Sequence, residues 1–217
     1  MNKNVKSVVV SGTNLFAGTL NDGVFLSTDN GATWSQVNSN LTNTDVLSLA
    51  VSGSNLFAGT RRGVFVSSDN GRSWKEVNYG LTIRDIYSLV ISGTKLFAGT
   101  DGGVFLSTDN GMSWTTVSSG MTSSSVKSLA VSGTNLFAGA SSYGVFLSTN
   151  HGISWSYTGL HTKDVNSLAV SGMEIYAGTS QGVFLSTNRE GKWNPGSEAM
   201  DGDACSDSRN GNSDERE

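Results

Sequence analysis

Apolar residues in this chain fall in short runs that Ser, Gly, Asn and Asp interrupt at regular intervals. The run Val46-Leu47-Ser48-Leu49-Ala50-Val51 meets the turn Ser52-Gly53-Ser54-Asn55. Leu56-Phe57-Ala58-Gly59-Thr60 follows and then, after Arg61-Arg62, Gly63-Val64-Phe65-Val66-Ser67-Ser68. Another tight turn leads to Ser73-Trp74-Lys75-Glu76-Val77. β-Branched and aromatic runs bounded by such clusters predict four short strands. Small residues beside large ones in the first run, Ser48 and Ala50, suit a crowded inner strand.

The same unit recurs along the chain. Ser-Gly pairs close the first run at Gly12, Gly53, Gly93, Gly133 and Gly172, with spacings of 41, 40, 40 and 39. Every tryptophan falls in one column: Trp34, Trp74, Trp114, Trp155 and Trp193. The phenylalanines fill two more, Phe16, Phe57, Phe97 and Phe137 (completed by Tyr176), and Phe25, Phe65, Phe105, Phe146 and Phe184. One repeated core thus absorbs nearly all the large aromatic surface. The copies span about 1–40, 41–80, 81–120, 121–160 and 161–197. Four strands in roughly 40 residues predict an all-β chain, a β-propeller of five four-stranded antiparallel blades. A helical solenoid would need a helical apolar period. A parallel β-helix has shorter coils and would not need the hairpin signal Asp-Asn-Gly.

The turn before the fourth run reads Ser27-Thr28-Asp29-Asn30-Gly31-Ala32-Thr33-Trp34, with equivalents from Ser67 to Trp74 and from Ser107 to Trp114. It resembles the Asp-box, or BNR, repeat of sialidases, sortilin-type receptors, photosystem II assembly factors and many exported bacterial propellers. The likeness covers residues 1 to about 193. Asp29, Asp69 and Asp109 suit the role of acceptors for turn N–H groups. Gly31, Gly71, Gly111 and Gly152 supply positive φ, and the Trp ring packs beneath the turn. The last two copies depart from the pattern, with Asn150 and Asn188 in place of Asp and Glu190 inserted before Gly191. Asx-turn chemistry accounts for each of these residues, and the resemblance puts the motif on the face away from ligand. They are read as structural staples.

The Asp-box and Ser-Gly turns share one rim and hardly vary. The opposite rim varies from copy to copy. Its loops include Leu20-Asn21-Asp22, Arg61-Arg62, Asp101-Gly102, Ser141-Ser142-Tyr143 and Ser180-Gln181, with Asn43-Thr44-Asp45, Ile83-Arg84-Asp85, Ser123-Ser124-Ser125 and His161-Thr162-Lys163 between copies. At the start of the innermost strand one column holds Lys6, Leu47, Tyr87, Lys127 and Asn166. Varied loops on a fixed frame are where recognition is expected, although drift gives the same pattern. Arg61, Arg62, Arg84, Tyr87, Tyr143 and His161 are the candidate contacts, because Arg and Tyr dominate binding hot spots.

Charge narrows the ligand. From Glu198 onward seven acids meet two arginines, so the other residues carry twelve bases and eleven acids, a net of +1. That balance offers no footprint for nucleic acid, and no run is long enough to span a membrane. The single cysteine, Cys205, permits no internal disulfide. No signal-peptide core follows Met1, although related repeats are often exported. His151 and His161 have no neighbouring Cys or second His, so neither metal nor cofactor is expected. A sialidase-like glycoside hydrolase is the enzymatic alternative. As the resemblance implies, it needs an arginine triad, a Tyr/Glu pair and an aspartic acid/base. Of five arginines before the tail, Arg72 and Arg189 sit in Asp-box turns, and the Phe-Arg-Ile-Pro signature is absent. The favoured reading is a non-catalytic module binding a protein or glycan on the varied rim. A fragment of a longer exported repeat protein, with no site of its own, is the other alternative.

Ring closure is open at this stage. Asn194-Pro195-Gly196 curtails the last outer strand. A compact five-bladed monomer with an incomplete, three-stranded last blade is favoured over an open arc that self-associates or belongs to a larger ring. Residues 198–217 are expected to be a disordered acidic tail.

Overall fold

The computed structural model describes residues 3–122, 125–160, 164–187 and 193–195. The acidic tail therefore lies outside the described residues. Five antiparallel sheets follow one another along the chain. The first holds β1 (Val5–Ser11), β2 (Asn14–Thr19), β3 (Gly23–Ser27) and β4 (Ser35–Gln36). The second holds β5 (Val46–Ser52), β6 (Asn55–Thr60), β7 (Gly63–Ser67) and β8 (Lys75–Glu76). The third is β9 (Ile86–Ser92), β10 (Lys95–Thr100), β11 (Gly103–Ser107) and β12 (Thr115–Thr116). The fourth is β13 (Val126–Ser132), β14 (Asn135–Ala140), β15 (Gly144–Ser148) and β16 (Ser156–Tyr157). The fifth is β17 (Val165–Ser171), β18 (Glu174–Thr179), β19 (Gly182–Ser186) and β20 (Trp193–Pro195).

Each sheet is a meander, so neighbours in sequence are neighbours in the sheet. The outer strands are shorter than their apolar runs predict. The last blade keeps its fourth strand, Phe184 pairing with Pro195, rather than being three-stranded. A proline fits there because an edge residue has no ladder bond to lose.

Blades pack face to face through a repeated cluster. Ala50, Phe57, Val64, Val77 and Leu81 of the second blade meet Ile86, Leu89, Leu96, Ala98, Phe105 and Trp114 of the third. The same positions build the other three seams. A glycine in each second strand is the hole for a branched knob from the next blade. A Cβ at Gly18 would sit 2.6 Å from Val46, at Gly59 2.7 Å from Ile86, and at Gly139 2.6 Å from Val165. A serine also ties each seam: Ser7, Ser48, Ser88 and Ser128 accept the N–H of Leu49, Leu89, Leu129 and Leu168.

Among the described residues the ring does not close on itself. β1 packs on β5, β5 on β9, β9 on β13 and β13 on β17, but β17 makes no comparable return contact with β1. The five blades form an open arc, which corrects the expected compact ring.

Candidate functional site

A β-bulge shapes the start of every inner strand. The register slips between Val5 and Ser7, Val46 and Ser48, Val126 and Ser128, and Val165 and Ser167, with the same slip opposite Ile86 and Ser88. The extra residue is Lys6, Leu47, Tyr87, Lys127 or Asn166. A bulged residue is freed from the pleat and aimed away from the ladder. All five line one cleft of about 630 Å³ at the varied rim, together with Leu20, Arg61, Ser141 and Asp164.

Three cations and one carboxylate therefore face this mouth. Lys127 lies over the Tyr87 ring, Nζ 3.4 Å from its centroid. Asp101 ties the pair together, accepting from Tyr87 Oη at 2.6 Å, Ser125 Oγ at 2.7 Å and Lys127 Nζ at 3.1 Å. Burial alone would raise the Asp101 pKa, but these three donors outweigh it and hold the carboxyl below its ordinary range. Burial and the bond to Asp101 push the Tyr87 phenol up. Lys127 is drawn down by burial, yet Tyr87 and Asp101 leave it above its usual value. At neutral pH Asp101 and Lys127 are charged, while Tyr87 keeps its proton and donates it to Asp101. Arg61 stands 3.9 Å from Asp45, which also accepts the N–H of Asn21. Lys6 has no ion-pair partner among the described residues.

Of the six candidate contacts, Arg61 and Tyr87 line the cleft. Arg62 and Tyr143 are exposed on the same loops but do not line it. Arg84 instead binds Glu76 Oε1 at 2.9 Å, and with Asn78, its main cause, this keeps the Glu76 carboxyl low. His161 lies outside the described residues. Lys6, Lys127, Asp101 and Asp164 belong to the site as well. The bulge column marks the first two in the sequence, whereas the acids show themselves only through their bonds.

The Asp-box turns occupy the opposite rim and make local contacts. Asp69 accepts from Ser73 N, Ser73 Oγ and Ser67 Oγ, and Asp29 repeats this on its own turn. These bonds hold both carboxyls at about 2. Asp109 is lowered by the same partners. Gly31, Gly71, Gly111 and Gly152 have positive φ, as do Asn30, Asn70, Asn110 and His151 before them. Asn150 keeps the turn, its Nδ2 donating to Ser154 Oγ where an aspartate would accept. Asn188 and Gly191 lie outside the described residues. Trp74, Trp114 and Trp155 are buried, their indole N–H on the carbonyls of Val37, Val77 and Val117 in the preceding blade. Trp193 is half-buried on Thr158. Trp34 departs from the expected packing: it is 41% exposed and bonds back to Gly31.

The BNR/Asp-box repeat model matches residues 25–36, and the DUF6242 beta propeller domain model matches residues 64–168. This chain is a β-propeller of Asp-box repeats. No curated protein sequence matches it. Similar solved structures are propeller proteins of varied role. A B. thetaiotaomicron extracellular domain, described as part of a one-component system, is 21% identical with a TM-score of 0.75, covering 88% of this chain and 27% of that one. An ancestral GH74 enzyme is 22% identical with a TM-score of 0.76, covering 89% and 31%. YCF48 bound to D1 peptide is 12% identical with a TM-score of 0.68, covering 88% and 68%. This propeller thus spans less than a third of the first two, and the likeness is one of fold. Among its described residues no helix could cross a membrane, and no group of three or more His, Cys, Asp or Glu could hold a metal ion.

Proposed function

We propose that the propeller is a non-enzymatic binding module that takes an extended protein segment bearing a carboxylate at the bulge-lined mouth. The carrying observation is convergence: five bulged residues from five blades line one cleft, with Lys6, Arg61 and Lys127 around the Tyr87 ring. A carboxylate would pair with Lys6, which has no ion-pair partner among the described residues, and with Arg61, which Asp45 holds only at 3.9 Å. Apolar side chains would rest on Leu20, Leu47 and the Tyr87 ring. The Asp101 bonds keep Tyr87 and Lys127 in place before any ligand arrives, which limits the ordering cost of binding.

The chemistry of the acids argues against a glycosidase at this mouth. A general acid needs a raised pKa, whereas Asp101, which braces this mouth, is shifted down. A fold shared with peptide-bound YCF48 is compatible with a peptide ligand.

Selection of a random peptide display library on the immobilised protein tests the reading. Enrichment of Asp- or Glu-containing peptides is expected. A synthetic copy of an enriched peptide should bind the Lys6→Ala/Arg61→Ala variant about tenfold or more weakly, the loss of charge-assisted bonds. It should also weaken as salt rises. Enrichment without acidic residues, or full binding by the double variant, would overturn it. A glycan array bound instead would move the site to carbohydrate.

A further inference from the structure

The internal seams show what belongs on the two open faces of the arc. On the first blade Val5, Val8, Val10 and Trp34 are exposed, and Val5, Val8 and Trp34 border a cleft of about 600 Å³ with Lys3, Ala17, Thr19 and Phe25. At the other seams these positions pack against the preceding blade, those of Val5 fully buried and the rest buried or half-buried. Val8 is 57% exposed where Leu49 is 4%, and Val5 stands where Val46, Ile86, Val126 and Val165 are fully buried knobs. The face is apolar apart from Lys3 and packs on no other blade among the described residues.

The last blade carries the other half. Gly178 repeats the hole at Gly18, Gly59, Gly99 and Gly139, but a Cβ there would meet only Ser167 of its own blade. Val183 is 53% exposed where Val24, Val64, Val104 and Val145 are buried. Ser167 Oγ stands in the column of Ser7, Ser48, Ser88 and Ser128 and accepts no N–H from a following blade among the described residues. Tyr176 replaces the buried phenylalanine of the other blades, and its hydroxyl turns to Glu174 at 2.6 Å, leaving the ring face available.

We propose that the first-blade face of one copy docks on the last-blade face of a second copy, continuing the seam the chain already builds four times. Val5 of one copy enters the Gly178 hole of the other, Val8 N–H meets Ser167 Oγ, and Val183 fills the cleft beside Phe25. The contact is heterologous, so each chain offers one donor face and one acceptor face. This proposal does not depend on the ligand reading.

Light scattering of the full-length chain with two face variants tests it. Wild type should run at multiples of 22.7 kDa, rising with concentration. Val8→Asp and Val183→Asp each remove one face at an exposed position and should both be monomers with unchanged thermal melts. Mixed together they should give a pair of chains and stop there, since the intact last-blade face of one meets the intact first-blade face of the other. If either variant melts lower, Val10→Asp or Gly178→Ala replaces it on the same face. A wild-type monomer at every concentration overturns the proposal, as would ring closure within one chain or burial of the face by further blades. So would a Val183→Asp variant that still dimerises, or a mixture that stays monomeric.

Discussion

Ser67 and Asp69 divide the donors of one turn between them. Ser67 Oγ is buried, accepts the Gly71 N–H at 2.8 Å and donates to Asp69 at 2.7 Å. Ser67→Ala leaves the Gly71 N–H unpaired beneath the turn and should destabilise by about 1–3 kcal/mol. Chemical denaturation measures this, and a change near zero would mean that water replaces the hydroxyl. The aspartates act on pH. Asp29 and Asp69 titrate at about 2 when folded, against 3.8 for a free carboxyl, and Asp109 is displaced the same way. A depressed folded pKa stabilises above the unfolded value and is lost as pH falls through the folded one. Thermal midpoints should therefore drop between about pH 4 and pH 2. The Asp29→Asn/Asp69→Asn/Asp109→Asn variant should show a flatter acid limb, because an amide does not titrate and Asn150 shows that the turn accepts it. Equal acid slopes in the two proteins would assign the loss to other groups.

At the scale of the element, the seam glycines separate packing from position. Gly59 faces Ile86 at 2.7 Å from a built Cβ, inside a closed core. Gly59→Ala overpacks that core and should cost about 1–3 kcal/mol. Gly178→Ala has the same strand position but no following blade, and its Cβ meets only the Ser167 hydroxyl, which can rotate away, so its cost to the isolated chain should be smaller. Comparing the two melts checks the seam, and equal losses would show that the glycines serve their own strand instead. These seams explain what was legible in the sequence. The strands, the Asp-box turns and the aromatic columns each recur five times, and repetition averages away local noise. The bulge residue was visible as a varied column, yet its common aim was not, because a bulge is a register between two strands. Arg84 looked equivalent to Arg61, but the Glu76 carboxylate that captures it lies on an outer strand eight residues earlier. The closed ring failed because closure depends on the angle between blades. That angle is set by the volumes of Phe57, Val64, Ile86 and their repeats acting together, and no single position reports it.

At the scale of the whole molecule the main contacts among the described residues join each blade to its neighbours, so stability is a sum of blades and seams rather than one shared core. The middle three blades are held on two faces, while the first and last are held on one. In the first blade the free face is that of Val8 and Trp34, and in the last it is that of Tyr176 and Val183. Local opening should follow this order, since a blade with one seam has less buried apolar area to break. The second strands make a fair comparison, because they sit at the same depth with nearly the same sequence. Hydrogen exchange on monomeric chains should leave β6, β10 and β14 protected longest, with β18 and β2 exchanging earlier. β18 should exchange first, since Tyr176, Gly178 and Thr179 are only half-buried where their β2 equivalents Phe16, Gly18 and Thr19 are buried. Uniform protection would show instead that the five blades unfold as one cooperative unit. Earlier exchange in a middle blade would mean that seam count does not govern the order. Either result would undercut the picture of an arc assembled from repeated nearest-neighbour seams. The predicted gradient would support it, and self-association should erase the gradient by covering the two free faces together.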